Sequence, residues 1–314
     1  MLQVKNLSKN YGSFEAVKDI SFTLNNNEAV ALLGLNGAGK TTTLRMLTGF
    51  LMPTTGDIYI DNTSLQEQAN ELKKNIGYLP EKPALYLEMT VEAFLRYMLR
   101  LRLQTIENTE EQKIDLALEK AQLKDKKNQV IGSLSMGFKK RVGLAQALVH
   151  NPKILIFDEP IADLDPQQII EVRNLILNLK KEHTIILSSH ILSEVAKTAD
   201  RYLFIHQGKL VAQETKQSLE DKLKDNYQYI VEFEVNQPLT SNEIIAILEQ
   251  NISFDTNEIV NNTGSYWILD LNSSTDIRST LSKAIINNNW NLMKIDQKTF
   301  DLESLFLNLT NKTV

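Results

Sequence analysis

The sequence predicts an α/β protein: a largely parallel sheet covered on both faces, carrying a helical insert and followed by a smaller α+β module. Three observations lead there. Short apolar strands alternate with helical segments from residue 29 to about residue 199. A glycine-rich turn, Gly34 to Thr41, sits between one such strand and a helix. Beyond a charged, poorly apolar stretch, Lys216 to Asn226, the order becomes strand, helix, strand, strand, helix, strand.

The elements follow from local pattern. Leu2 to Leu7 and Ala16 to Leu24 alternate as half-buried strands, Ala29 to Leu33 is continuously apolar, and Ile58 to Ile60 follows the turn Pro53-Thr54-Thr55-Gly56-Asp57. A helix is expected over Lys40 to Leu51. Residues 90–131 read as helical, with Thr90 as N-cap and Ile114, Leu116, Leu118, Ala121 and Leu123 on one side. A helix from Gly137 to Val149 stops at Asn151-Pro152. Strand Lys153 to Phe157, helix Gln167 to Lys181, strand Thr184 to Leu187 and a short helix near Leu192 to Ala199 come next, and Tyr202 to His206 with Lys209 to Val211 form a closing hairpin about Gln207-Gly208. The last third reads as strand Tyr229 to Val235, helix Ser241 to Gln250, strands near Ile252 to Val260 and Tyr266 to Leu271, helix Thr275 to Asn288 and strand Leu292 to Ile295, the split βαββαβ order of small ferredoxin-like domains.

Composition narrows the function. The 314 residues suit about two domains, and 42% hydrophobic with 23% charged residues is ordinary for a globular chain. A net charge of −5 offers no basic footprint for a phosphate backbone, so nucleic acid is not expected as a partner. The absence of Cys removes disulfides, thiolate metal sites and a cysteine nucleophile. No apolar run approaches the roughly 20 residues needed to span a bilayer, and the first residues alternate like a strand rather than a signal peptide.

Gly34-Leu35-Asn36-Gly37-Ala38-Gly39-Lys40-Thr41 matches the phosphate-loop pattern G-x-x-x-x-G-K-[ST], with the strand and helix that pattern requires on its flanks. Its backbone N–H groups and the helix N-terminus suit phosphate, with Thr42 continuing the cradle. Lys40 is expected to reach the β- and γ-phosphates of ATP and the Thr41 hydroxyl to ligate Mg2+. The alternative is a chance glycine turn.

The strand Ile154-Leu155-Ile156-Phe157 ends in Asp158-Glu159-Pro160. Adjacent strand residues face opposite ways, so the two carboxylates can take different roles: Asp158 on Mg2+ through its water shell, Glu159 polarising an attacking water. A solvent-exposed acidic strand end is the plainer alternative.

At these residues, over positions 1 to about 215, the chain resembles the ATP-binding subunit of an ABC transporter, because several motifs occur in that family's order. The resemblance implies a P-loop NTPase of ABC type over 1–215 with a helical subdomain at about 85–150, a linker at 216–226 and an accessory domain at 227–314. It implies that Tyr11 stacks on adenine with Val17 as apolar neighbour, although alone Tyr11 reads as a turn tyrosine. Leu134-Ser135-Met136-Gly137-Phe138 corresponds to the family signature, with Met136 and Phe138 in place of the usual glycine and glutamine. That motif contacts the γ-phosphate bound by the other subunit, so a second copy of the chain is an implied partner. Glu81, in Ile76-Gly77-Tyr78-Leu79-Pro80-Glu81, stands where a Mg2+-ligating glutamine is usual. Asp165 belongs to the inter-subunit Leu164-Asp165-Pro166, with Asp163 where glycine is usual, and His190 corresponds to the switch histidine. His150 reads as a helix-ending histidine favoured by the dipole.

The ending Asp301-Leu302-Glu303-Ser304-Leu305-Phe306-Leu307 resembles the tail of an exporter-type branch that works with a separately encoded polytopic membrane subunit. The signature stretch is similar to that of gliding-motility members. As a plainer reading, Leu302, Leu305, Phe306 and Leu309 are a helix stripe packing on the second domain. The resemblance places the chain at the cytoplasmic face of a membrane. A regulatory ATPase moving a soluble partner is the alternative of a different class.

Overall fold

In a computed structural model of the chain, the described residues are 1–103, 109–191, 194–195, 197–219, 227–250, 252–261 and 265–298. They fall into two compact units, one built on Met1–Lys216 and one within Gln217–Asn308.

The first unit holds two sheets. Strands β1 (Leu2–Tyr11), β2 (Phe14–Leu24), β4 (Thr55–Ile60) and β5 (Thr63–Ser64) form an antiparallel sheet in the order β2-β1-β4-β5, with Leu2 opposite Leu24 and Ile60. Alternation sends Leu2, Val4, Val17, Ile20, Phe22, Ile58 and Ile60 inward. The second sheet has the order β10-β9-β3-β8-β7-β6, from β3 (Ala29–Leu33), β6 (Ile76–Leu79), β7 (Ile154–Phe157), β8 (Thr184–Ser189), β9 (Arg201–His206) and β10 (Lys209–Thr215). All of its pairings are parallel except the β9–β10 hairpin. Strands β3, β7 and β8 are buried along their whole length, as expected for a sheet covered on both faces. Because the strands are parallel, the loops after β3, β6, β7 and β8 all leave from one edge, where ligands of open α/β sheets bind.

Helix α1 (Lys40–Leu47) packs Leu44, Met46 and Leu47 into the core that joins both sheets. It ends four residues before the Leu51 expected from periodicity. Gly49 adopts φ 65° and the N–H groups of Phe50 and Leu51 return to the Arg45 carbonyl, a left-handed termination. A short helix α2 (Ala69–Leu72) precedes β6, and the helical insert after β6 carries α3 (Val91–Leu103) and α4 (Glu110–Lys120), with Thr90 Oγ1 capping α3 by accepting from Ala93 N at 3.2 Å. Ile114, Leu118, Ala121 and Leu123 are fully buried as expected, but Leu116 is 43% exposed. Two residues past Ile114 lies about 200° around the helix, on the opposite face from residues four and seven further on. Then come α5 (Met136–Leu148) and α6 (Pro166–Leu179), with N-caps Ser135 and Asp165. The expected helix at 192–199 falls partly outside the described residues.

In the second unit, β11 (Tyr227–Glu234), α7 (Ser241–Glu249), β12 (Asp255–Asn261), β13 (Tyr266–Ser273), α8 (Arg278–Asn287) and β14 (Asn291–Lys298) occur in the βαββαβ order. The sheet is antiparallel throughout, in the order β12-β13-β11-β14, so the first and third strands lie at its centre. Tyr229, Val231, Phe233, Leu269 and Leu271 pack against Ile244, Leu248, Leu281 and Ile285 of the helices, and Phe233 stacks on Trp290 at 5.2 Å between ring centroids. Of the charged stretch 216–226, residues 216–219 are helical and the remainder lies outside the described residues, as does the 301–307 ending.

Candidate functional site: a phosphate cradle facing a buried carboxylate

The turn after β3 is set by sterics. Gly39 has φ 108°, and a Cβ there would lie 2.7 Å from the Ala16 carbonyl oxygen, so only glycine lets the loop enter α1 at this angle. Lys40 opens the helix, 6% exposed, and its Nζ donates to the carbonyl oxygens of Gly34 at 2.8 Å and Leu35 at 3.4 Å. Its ammonium also lies 3.5 Å from Glu159 Oε1. A cation at the first residue of a helix, whose N-terminal N–H groups carry partial positive charge, suits an anionic ligand of several charges.

Strand β7 delivers the two carboxylates in different directions. Asp158, 1% exposed, accepts from Ser188 Oγ at 2.7 Å and from Thr41 Oγ1 at 3.2 Å. Glu159 turns the other way because its backbone is left-handed, φ 48°. Its carboxylate meets Lys40 on one oxygen and His190 on the other, with His190 Nδ1 to Oε2 at 2.9 Å and His190 N donating to Oε2 at 3.3 Å. The solvent-exposed strand end is therefore not what forms: both carboxylates are buried and partnered.

These groups open onto a cleft of about 360 Å3 lined by Tyr11, Phe14, Ala16, Leu35 to Gly37, Gly39 to Thr42, Glu81, Glu159, Ala162 and His190. Tyr11 and Phe14 are 49% and 63% exposed, aromatic surface at the end of the cleft where a base can stack. Gly34 contributes its carbonyl to Lys40, and Ala38, 5% exposed, packs into the core beneath the loop. Val17 is fully buried in that same core, and Ala16 and Phe14 present the cleft wall at that point. Thr41 and Asp158 supply hard oxygens side by side, and Glu81 lines the same cleft as Thr41. That set suits Mg2+, which takes one or two protein oxygens and fills its octahedron from water and phosphate.

Ser135, Gly137 and Asp165 line a different depression of about 240 Å3, together with Phe138, Arg141, Gln167, Gln168 and Glu171. Met136 beside it is 64% exposed. The two linings share no residue. Here two helix N-termini converge: Ser135 Oγ accepts from Phe138 N at 3.5 Å and Asp165 Oδ1 accepts from Gln168 N at 2.9 Å. Asp163 has φ 63°, so the glycine-type conformation persists without the glycine.

Two residues of the site escaped sequence reasoning. Ser188 donates to Asp158 and its oxygen accepts the Glu159 N–H at 2.9 Å; two serines closing an otherwise apolar strand before His190 were the available signal. Lys140, 5% exposed on α5, donates to the carbonyl oxygens of Glu81 at 2.7 Å and Glu159 at 2.9 Å. Burial lowers its pKa, against the pull of the Glu81, Asp163, Asp158 and Glu159 charges. His150 also differs from expectation. It is 8% exposed, its Nε2 lies 3.1 Å from the Ile76 carbonyl oxygen, and burial beside the Arg102 cation lowers its pKa to about 4, so the ring is neutral and the helix dipole is not what holds it.

Residues 17–162 match the family model described as ABC transporter. The chain is 36% identical to an uncharacterized ABC transporter ATP-binding protein, YxlF, of Bacillus subtilis, covering 99% of this chain and 100% of that one. It is 33% identical to the bacitracin transport ATP-binding protein BcrA of Bacillus licheniformis, covering 98% of this chain and 97% of that one. A solved structure of an ATP-binding subunit of an ABC transporter superposes with a TM-score of 0.63 at 30% identity, over 71% of this chain and 92% of the other.

Proposed function

Because the chain belongs to the ABC transporter ATP-binding proteins, P-loop ATPases that serve transport, we propose that two copies of it close on two MgATP and that their hydrolysis drives a separately encoded membrane subunit, in an exporter. The observation that carries this reading is the Lys40–Glu159–His190 cluster at the mouth of the phosphate loop, with Lys40 and Glu159 buried and His190 facing the cleft.

The chemistry follows from those contacts. Among the described residues, the Lys40 ammonium is met by the Gly34 and Leu35 carbonyls and the Glu159 carboxylate. A γ-phosphate takes over that role and frees Glu159 Oε1 to accept a proton from water, while His190 keeps Oε2 oriented. Water then attacks the γ-phosphorus in line, and Lys40 with the loop N–H groups stabilises the charge on the transferring oxygens. Thr41, Asp158 and Glu81 would hold Mg2+, which would supply charge neutralisation to the phosphates. Tyr11 stacks on the adenine.

Dimer formation is supported by the separate depression at Ser135, Gly137 and Asp165: its helix N-termini suit a phosphate, yet none of its residues lines the cradle. A second copy brings the two together. Among the described residues no helix is long and apolar enough to cross a membrane, which fits a membrane part on another polypeptide, with this chain at its cytoplasmic face.

The test is Glu159→Gln. The variant is expected to bind ATP, to elute as a dimer with ATP, and to lose turnover. Wild-type hydrolysis by this variant overturns Glu159 as the base. Co-purification with a polytopic chain from membranes supports transport, whereas recovery with soluble partners alone favours a regulatory ATPase.

A further inference from the structure

Glu159 occupies a conformation that a residue with a side chain rarely adopts, φ 48°, and that surrounding contacts must hold. Two side chains hold it, beside a longer main-chain bond of 3.3 Å from Ala162 N to the Glu159 carbonyl oxygen. Ser188 Oγ accepts the Glu159 N–H at 2.9 Å, and Lys140 Nζ donates to the Glu159 carbonyl oxygen at 2.9 Å. Lys140 comes from the helix that begins at Ser135, and its second bond, 2.7 Å, goes to the carbonyl oxygen of Glu81. One ammonium thus ties three pieces of the site: the α5 helix, the loop after β6 and the turn that aims the carboxylate.

The burial of this cation calls for a role. Lys140 is 5% exposed, and among the described residues no carboxylate oxygen lies within ion-pair distance of its Nζ. A desolvated ammonium satisfied by main-chain carbonyls is an expensive way to fill space that a Met or Leu would fill without penalty. Its two acceptors belong to the two residues that line the cleft with carboxylates, Glu81 and Glu159.

We propose that Lys140 is a positioning residue for hydrolysis: by donating to the main-chain carbonyls of Glu159 and Glu81 it fixes the left-handed turn that aims the Glu159 carboxylate, and makes that aim depend on where α5 lies. The proposal rests on Glu159 being the group that polarises water. It makes Lys140 silent in nucleotide binding, since the phosphate loop, Tyr11 and Thr41 hold the nucleotide without it.

The test compares wild type, Lys140→Met, Lys140→Gln, Glu159→Gln and the double variant Lys140→Met/Glu159→Gln by steady-state ATP hydrolysis and by equilibrium binding of ATP. Lys140→Met is expected to lower kcat by roughly 10- to 100-fold, the scale of a misaimed catalytic group, with KM and ATP affinity within about twofold. Lys140→Gln, which keeps two N–H donors, is expected to recover most of the loss. Adding Lys140→Met to Glu159→Gln should cost nothing further, because both act through one carboxylate. Wild-type kcat in Lys140→Met, an equal loss of ATP affinity and kcat, or no recovery in Lys140→Gln overturns the proposal. Turnover retained in Glu159→Gln alone instead overturns the role of Glu159. Should the Met variant not fold, Lys140→Leu is held to the same outcomes.

Discussion

Acidification acts on this chain through His150. The ring is buried where α5 gives way to β7, with Nε2 on the carbonyl of Ile76, the first residue of β6, and the Arg102 guanidinium donating to that same oxygen at 2.9 Å. Burial comes first in lowering its pKa from 6.5 to about 4, the Arg102 cation second, and Lys113 adds slightly. Between those values the unfolded chain binds a proton that the folded one refuses. The contribution is therefore intact above pH 6.5 and is lost as pH falls toward 4. At 1.36 kcal/mol per pKa unit the full loss is about 3 kcal/mol, of which about 2 kcal/mol falls between pH 7 and pH 5. His150→Gln retains a donor for the Ile76 carbonyl and does not titrate in this range. Urea unfolding of the nucleotide-free chain should show wild type losing about 2 kcal/mol more than His150→Gln over that interval, carboxylate effects common to both cancelling. Parallel stability-against-pH curves would refute the reasoning, because they require a ring that protonates equally well folded and unfolded.

Gly39→Ala combines a φ of 108° with a Cβ placed 2.7 Å from the Ala16 carbonyl oxygen; a cost of about 1–3 kcal/mol is expected from the backbone conformation alone, read as a lower melting temperature and at least roughly tenfold weaker ATP binding. Tyr11→Ala removes a half-exposed ring beside the cradle, and loss of base stacking of about 1–3 kcal/mol should raise the Kd for ATP by roughly 5- to 150-fold. An unchanged ATP affinity would remove Tyr11 from the base site and leave Phe14 as the ring to examine.

Much of the site was readable because its chemistry is local. A glycine-rich turn between an apolar strand and a helix fixes where N–H groups gather, and Asp158-Glu159 ending an apolar strand fixes two carboxylates at the same sheet edge. Most strands of both units were readable from alternation and apolar runs for the same reason, whereas the short β5 and β6 were not. Periodicity misjudged Leu116 and the end of α1, where helix phase and a left-handed Gly49 decide the outcome. Val17 was legible as apolar but not as core, since in β2 the neighbouring Ala16 and Phe14 are the residues that reach the cleft.

By itself, then, the sequence determined the order of the longer elements, the phosphate loop, the paired carboxylates and the family, all of which depend on residues adjacent along the chain. Tertiary structure alone decided that Glu159 turns through a left-handed backbone to meet Lys40 and His190 while Asp158 meets Thr41 and Ser188. It also decided which of Lys139 and Lys140 is buried on carbonyls from two distant loops. These contacts join residues far apart along the chain, Thr41 and Asp158 by 117 positions. They exist because β3, β7 and β8 lie side by side in one parallel sheet, a neighbourhood no local pattern encodes.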